Sequence, residues 1–165
     1  MTEVAVIDMQ KPGAPIHIDA AGEVTFTAGN DPAAMRAYIT ALKDRMLALP
    51  GEKLDMPVEH LFLSGMYTRT LFIPKGSLLV GKIHTKPCVN IVAKGDISVL
   101  TETGAMRVQA GFTLISPAGI QKVGYAHEDT VFINVFRTDV TDPDLVEADI
   151  ASESFDFLSI ETEAL

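Results

Sequence analysis

The sequence predicts a mainly β protein, an antiparallel sandwich or barrel preceded by one amphipathic helix. Three observations lead there. From Val58 onward the chain breaks into short runs rich in β-branched and aromatic residues, punctuated by Ser64-Gly65, Pro74-Lys75-Gly76, Lys94-Gly95-Asp96 and Thr103-Gly104. Strands at such spacing with turn residues between them are the pattern of a β-sandwich or barrel. Ahead of them, Asp31-Pro32 opens a segment whose apolar residues recur every three or four positions. Finally, 165 residues with a single cysteine suit one domain with its own core and no internal disulfide.

In chain order, residues 1–30 place short apolar runs at Val4–Ile7, Ile16–Ile18 and Val24–Thr27 among turn formers. They read as an arm with short edge strands. Asp31 is the expected N-cap and Pro32 the first helical residue. Met35, Tyr38, Ile39, Leu42, Met46 and Leu49 form the apolar face, and Pro50-Gly51 ends the helix. Strands are then expected at Val58–Leu63, Met66–Ile73, Leu78–His84, Val89–Leu100, Met106–Ala110, Phe112–Ser116, Val123–His127 and Thr130–Arg137. Asp142-Pro143 resembles a second helix start, followed by the apolar cluster Phe155, Phe157, Leu158 and Ile160. That cluster is expected to be extended and to anchor the tail along a strand edge of this barrel or a neighbouring one. The chain divides into an arm and helix (1–56), a β-barrel (57–137) and an acidic tail (138–165).

The net charge of −9 is unevenly placed. Arg137 is the last basic residue, and nine acids follow it, whereas residues 1–137 are balanced at 13 acids and 13 bases. Without a basic stripe the chain is a poor nucleic-acid binder. No window holds 18 uninterrupted apolar residues, so no transmembrane helix is expected. The opening residues lack a basic region followed by an apolar run, so a cytoplasmic location is expected.

Two stretches carry the functional signal. In the first, Gly76, Lys82, His84, Cys88 and Gly95 stand at characteristic intervals; in the second, Gly111, Pro117, Gly119 and Lys122 do. These resemble the two signature motifs of the cupin superfamily, small antiparallel jelly-roll β-barrels. The framework glycines and the proline match. Of the four metal-ligand positions in that family, three His and one Glu, this chain keeps only His84 and has Lys82, Cys88 and Lys122 at the others. Residues from about 58 to 150 are also similar to uncharacterised cupin-like proteins of bacteriophages and bacteria.

The resemblance places Lys82, His84, Cys88 and Lys122 around one cavity. Alternation along a strand points Lys82 and His84 the same way, with Lys86, Cys88 and Asn90 following unless Pro87 introduces a kink. Lysine is cationic near neutral pH and coordinates poorly, and one His with one Cys is too few for a catalytic zinc site. No metal or other cofactor is therefore expected. Two lysines at the mouth of a low-dielectric cavity instead favour a small anionic ligand, with His84 as hydrogen-bond partner. Cys88 reads as a small buried hydrophobe, His60 as an ordinary strand residue, and His127-Glu128-Asp129 as a loop at the barrel rim.

The leading expectation is a metal-free, cupin-like domain that binds a small acidic ligand without catalysis. One alternative is a structural or accessory protein of a larger assembly such as a phage particle, in which case it would be virion-associated. A metal-independent sugar epimerase or isomerase, using His84, Lys82 and Tyr67 or Tyr125, is the other. A homo-oligomer or larger protein assembly is the expected partner state, with neither nucleic acid nor membrane involved.

Overall fold

Thirteen short strands and two helices organise the chain in the computed structural model, which describes residues 9–11 and 13–159. β1 (Ile16–Ile18) and β2 (Val24–Phe26) pair as an antiparallel hairpin. The expected Val4–Ile7 run lies outside the described residues. α1 (Pro32–Ala48) begins where the Asp31 carboxylate accepts hydrogen bonds from the backbone N–H groups of Ala33 and Ala34 at 3.0 and 3.3 Å. Its buried face is Met35, Ile39 and Leu42. Leu49 is not part of that face, because it is the extended C-cap residue and is 60% exposed.

The barrel follows as β3 (Val58–Leu63), β4 (Met66–Ile73), β5 (Leu78–Val80), β6 (Ile83–His84), β7 (Cys88–Lys94), β8 (Asp96–Thr101), β9 (Gly104–Gln109), β10 (Thr113–Ser116), β11 (Val123–Ala126) and β12 (Thr130–Arg137). One sheet has the order β10-β7-β12-β4-β3 and the other β5-β11-β8-β9, with antiparallel pairing throughout. From β4 to β12 the chain alternates between the sheets, leaving them only for β6 and staying only for the β8–β9 hairpin. This is the strand order of a jelly roll. The fold is a jelly-roll barrel.

Two expected strands divide, each for a local reason. The run from 89 to 100 turns at Gly95, which has φ 92°. A Cβ there would stand 2.5 Å from the Asp129 carbonyl oxygen, so only glycine lets the chain pass from one sheet to the other. The run from 78 to 84 breaks at Gly81-Lys82. There the Gly81 N–H donates to the Lys122 carbonyl and the Gly81 carbonyl accepts from the Gln121 side-chain amide, both at 2.9 Å.

α1 and the β1–β2 hairpin cover the outer face of the four-stranded sheet, where Ile16, Ile39, Leu42, Leu100 and Val123 form one core cluster. The tail packs across one end of the barrel. α2 (Pro143–Ile150) is capped by Asp142 and buries Val146 and Ile150 against Tyr67, Cys88 and Phe136. β13 (Ala151–Ser152) then adds to the edge of β6. The expected extended form of Phe155–Leu158 is not found. Residues 157–159 are helical, closed by hydrogen bonds from Leu158 N–H to the Phe155 carbonyl and from Ser159 N–H to the Asp156 carbonyl, both 3.1 Å. The edge strand is made four residues earlier, and Ile160 lies outside the described residues. Among the described residues no helix is long and apolar enough to cross a membrane.

Candidate functional site

The barrel interior is built by the alternate residues of β4, β7 and β12 facing those of β5, β8 and β11. β4 contributes Tyr67, Arg69, Leu71 and Ile73, an arginine in an otherwise apolar phase. From β7 come Cys88, Asn90 and Val92, and from β12 Phe132, Asn134 and Phe136. Between them lies an inner chamber of about 70 Å³ lined by Arg69, His84, Lys122 and Asn134 among aliphatic and aromatic side chains. It shares Arg69, Gly81, Lys82 and His84 with an outer cleft of about 530 Å³. α2 forms one wall of that cleft through Pro143, Val146, Glu147 and Ile150, and His60 and Tyr67 form part of another. At Gly124 an added Cβ would come within 3.0 Å of the Leu79 side chain, so this glycine gives Leu79 room to pack beneath the chamber.

His84 is the hub. Its Nδ1 lies 3.4 Å from the Lys122 ammonium and 3.5 Å from the Cys88 sulfur, and its ring meets Phe136 edge-on at 5.0 Å. Burial, reinforced by the charges of Lys122 and Arg69, lowers the His84 pKa to about 3. The imidazole is therefore neutral at pH 7. With the Lys122 ammonium facing Nδ1 as donor, the imidazole proton belongs on Nε2. Burial also lowers the Lys122 pKa, partly offset by Cys88, and raises the Cys88 thiol pKa. A polar chain continues behind. Asn134 Nδ2 donates to Asn90 Oδ1 at 2.8 Å, and Asn90 Nδ2 donates to Ser116 Oγ at 2.8 Å and to the Leu114 carbonyl at 3.1 Å. These bonds fix the amides from behind.

The structure brings His84, Cys88 and Lys122 together, and it takes the Lys82 ammonium elsewhere. That ammonium is bound by the carboxylates of Glu147 and, at 3.0 Å, Glu153; Glu153 in turn binds Lys43 at 2.5 Å. Its pKa is raised, first by the hydrogen bond to Glu147 and then by that to Glu153. Lys86 leaves the interior as well, binding Asp149 at 2.5 Å. The reason is the irregular segment at 85–87, which interrupts the regular alternation before β7.

Arg69 lines the chamber in the role expected for Lys82. Neither Arg69 nor Lys122 has a salt bridge among the described residues, whereas Arg36, Lys43, Lys82, Lys86 and Arg107 each have one. His60, expected to be an ordinary strand residue, bonds the Tyr67 hydroxyl through Nδ1 at 2.7 Å at the cleft wall. Tyr125 faces the opposite way, packing with the cluster beneath α1. His127 begins the loop after β11, where its Nε2 meets Ser98 Oγ at 2.7 Å and its ring packs edge-on against Tyr125. Arg69 and Asn134 were detectable in principle, since each is a strongly polar residue on the buried phase of a strand.

Metal does not fit this donor set. The Lys122 ammonium lies 3.4 Å from His84 Nδ1, and a cation there opposes a second cation. Among the described residues no three His, Cys, Asp or Glu side chains converge as a ligand group.

No family model matches the chain, and no curated protein matches it. Solved structures similar to it include cupin-superfamily proteins. KdgF from a Halomonas species has 14% identity and a TM-score of 0.46, covering 53% of this chain and 84% of its own. An RmlC-like cupin from Shewanella frigidimarina has 17% identity and a TM-score of 0.44, covering 54% and 87%. A cupin superfamily protein from Desulfitobacterium hafniense has 9% identity and a TM-score of 0.46, covering 55% and 84%. Matches this distant carry no functional weight, and the jelly-roll assignment rests on strand order.

Proposed function

We propose that this protein is a metal-independent binding module for a small organic anion, held by Arg69 and Lys122 inside the barrel. One observation carries the reading: two cations face the same chamber without a carboxylate partner among the described residues, in a chain that has nine more acids than bases. A cation withdrawn from water and left unpaired is costly, and an incoming carboxylate or phosphate removes that cost. The arginine fork suits either group bidentately, while Lys122 adds a point charge. His84 Nε2–H and Asn134 supply neutral hydrogen bonds. The inner chamber has room for the charged group and the outer cleft for the body of the ligand.

The test is thermal unfolding of the full chain against acetate, pyruvate, succinate, inorganic phosphate and sugar phosphates, each compared with sodium chloride at equal ionic strength. A ligand that binds only the native state raises the melting temperature by mass action. At least one of these anions should do so, and Arg69→Met and Lys122→Met should each abolish the rise. If no anion exceeds the salt control, or the rise survives both substitutions, the reading is wrong. A chelator should leave the melting temperature unchanged, and a fall would overturn the metal-free part.

A second reading, metal-independent isomerisation, is favoured by the Tyr67 hydroxyl beside His60 Nδ1 at the cleft wall. It predicts a Tyr67→Phe variant that binds the anion as the parent does and turns nothing over.

A further inference from the structure

Lys122 offers more than a point charge, because it is also an amine. It stands just before β11, where its carbonyl accepts from the Gly81 N–H at 2.9 Å. The neighbouring Gln121 side-chain amide donates to the Gly81 carbonyl, also at 2.9 Å. These bonds fix the backbone from which the Lys122 side chain enters the inner chamber. There its nitrogen faces His84 Nδ1 at 3.4 Å, among Leu71, Ile73, Val99 and Phe132. Arg69 lines the same chamber.

A lysine becomes an amine nucleophile when it is withdrawn from water or stands beside a second cation, since both disfavour its charged form. Burial lowers the Lys122 pKa, with Cys88 offsetting it in part. No carboxylate among the described residues forms a salt bridge that would hold its proton in place. The other nucleophile at hand is disfavoured. Burial raises the Cys88 pKa, which keeps that group a protonated thiol. Lys43, Lys82 and Lys86 are tied to carboxylates of the tail.

We propose that Lys122 forms a reversible imine with the carbonyl carbon of a 2-oxo acid whose carboxylate is held by Arg69. The inference rests on the anion reading above and names the ligand class for that site. Size supports it. The inner chamber, about 70 Å³, equals the liquid share of roughly two waters. That is room for a carboxylate and a carbonyl directly beside it, while the rest of the ligand extends into the outer cleft. The arginine fork fixes the carboxylate, which presents the adjoining carbonyl carbon to the amine. In the reaction the nitrogen lone pair forms the C–N bond as the carbonyl π pair moves to oxygen. The carbinolamine then loses that oxygen as water. Counted from the ammonium, two of its three protons leave in the water and one stays on nitrogen, so no oxidant or reductant is needed.

Reductive trapping tests the inference. The full chain is incubated with pyruvate and sodium cyanoborohydride near neutral pH, then digested for peptide mass mapping. Reduced pyruvate should appear on Lys122 at a level at least tenfold above the exposed Lys53, Lys75 and Lys94. Methyl pyruvate, which keeps the carbonyl and lacks the negative charge, should modify Lys122 at least tenfold more slowly than pyruvate. Arg69→Met should remove that preference; should this variant fail to fold, the ester comparison on the parent decides alone. The inference is overturned by no adduct on Lys122, by an adduct no greater than on the exposed lysines, or by equal labelling with the ester. A folded Arg69→Met variant that keeps the preference overturns it too. A melting-temperature rise with pyruvate but no adduct removes the imine and leaves the anion reading standing. Absence of a rise with every anion removes the anion reading by its own test.

Discussion

Lys82 and Lys122 begin in the same part of the barrel and end in opposite electrostatic surroundings. The Lys82 ammonium reaches the tail and is held by Glu147 and Glu153, with Lys43 completing the cluster. The Lys122 ammonium stays inside, facing a neutral imidazole and a neutral thiol, with Arg69 adding a second positive charge to the chamber. The contrast separates cations that hold the fold together from cations available to a ligand. The tail's carboxylates neutralise Lys43, Lys82 and Lys86, and among the described residues they form no salt bridge with Lys122 or Arg69.

The comparison can first be sharpened by removing apolar packing beneath the paired cluster. Ile150, 4% exposed, packs with Tyr67, Cys88 and Phe136, and truncation to alanine should cost about 2–5 kcal/mol in denaturant unfolding. A loss under about 1 kcal/mol would mean that the ion pairs, and not the packing, dock the tail. Lys122→Met has the opposite sign. It removes an unpaired, partly buried charge from an apolar chamber and should raise stability in anion-free buffer by roughly 1–3 kcal/mol. Destabilisation would show that Lys122 has a stabilising partner.

Acid provides the next test. The folded pKa of His84, about 3, lies below its ordinary value of 6.5, so the unfolded chain binds the extra proton. This contribution is complete above about pH 6.5 and is lost as pH falls toward 3, with a slope of up to roughly 1.4 kcal/mol per pH unit. His127 shifts in the same direction, so the parent must be compared with His84→Gln, which should flatten the slope between about pH 6 and 4. Parallel curves would show His84 to be solvated. The smallest effect belongs to the paired lysine. Lys82→Met should change stability by about 0–1 kcal/mol, because these ion pairs are largely exposed, and the difference should vanish in about 1 M salt.

The jelly roll was legible because it depends on local signals: turn residues at 64–65, 74–76 and 103–104, two Asp-Pro helix starts, and short β-branched runs. The concentration of nine acids after Arg137 was legible as well, and three of them, Glu147, Asp149 and Glu153, bind Lys82, Lys86 and Lys43. The tail's anchor was misjudged. Phe155 and Phe157 drew attention as aromatics, but Val146 and Ile150 are the buried pair, and Phe155 lies under the Arg36 guanidinium at 4.0 Å.

The site was half legible. His84, Cys88 and Lys122 do meet, whereas Lys82 departs where the strand breaks at Gly81-Lys82. That depends on long-range bonds to Gln121 and Lys122, which no local pattern records. Arg69 went unnoticed because β4 was read for its strand character and not for the polar residue on its buried phase.

The most direct measurement is the titration of both lysine ammonium groups by nuclear magnetic resonance on side-chain-labelled full chain, in buffer free of multivalent anions. Lys122 should titrate below the ordinary lysine value of 10.5 and Lys82 above it. Adding an anion that raises the melting temperature should move Lys122 upward and leave Lys82 in place. A Lys122 that titrates above 10.5 before any anion is added would contradict the account, because its charge would already be paired.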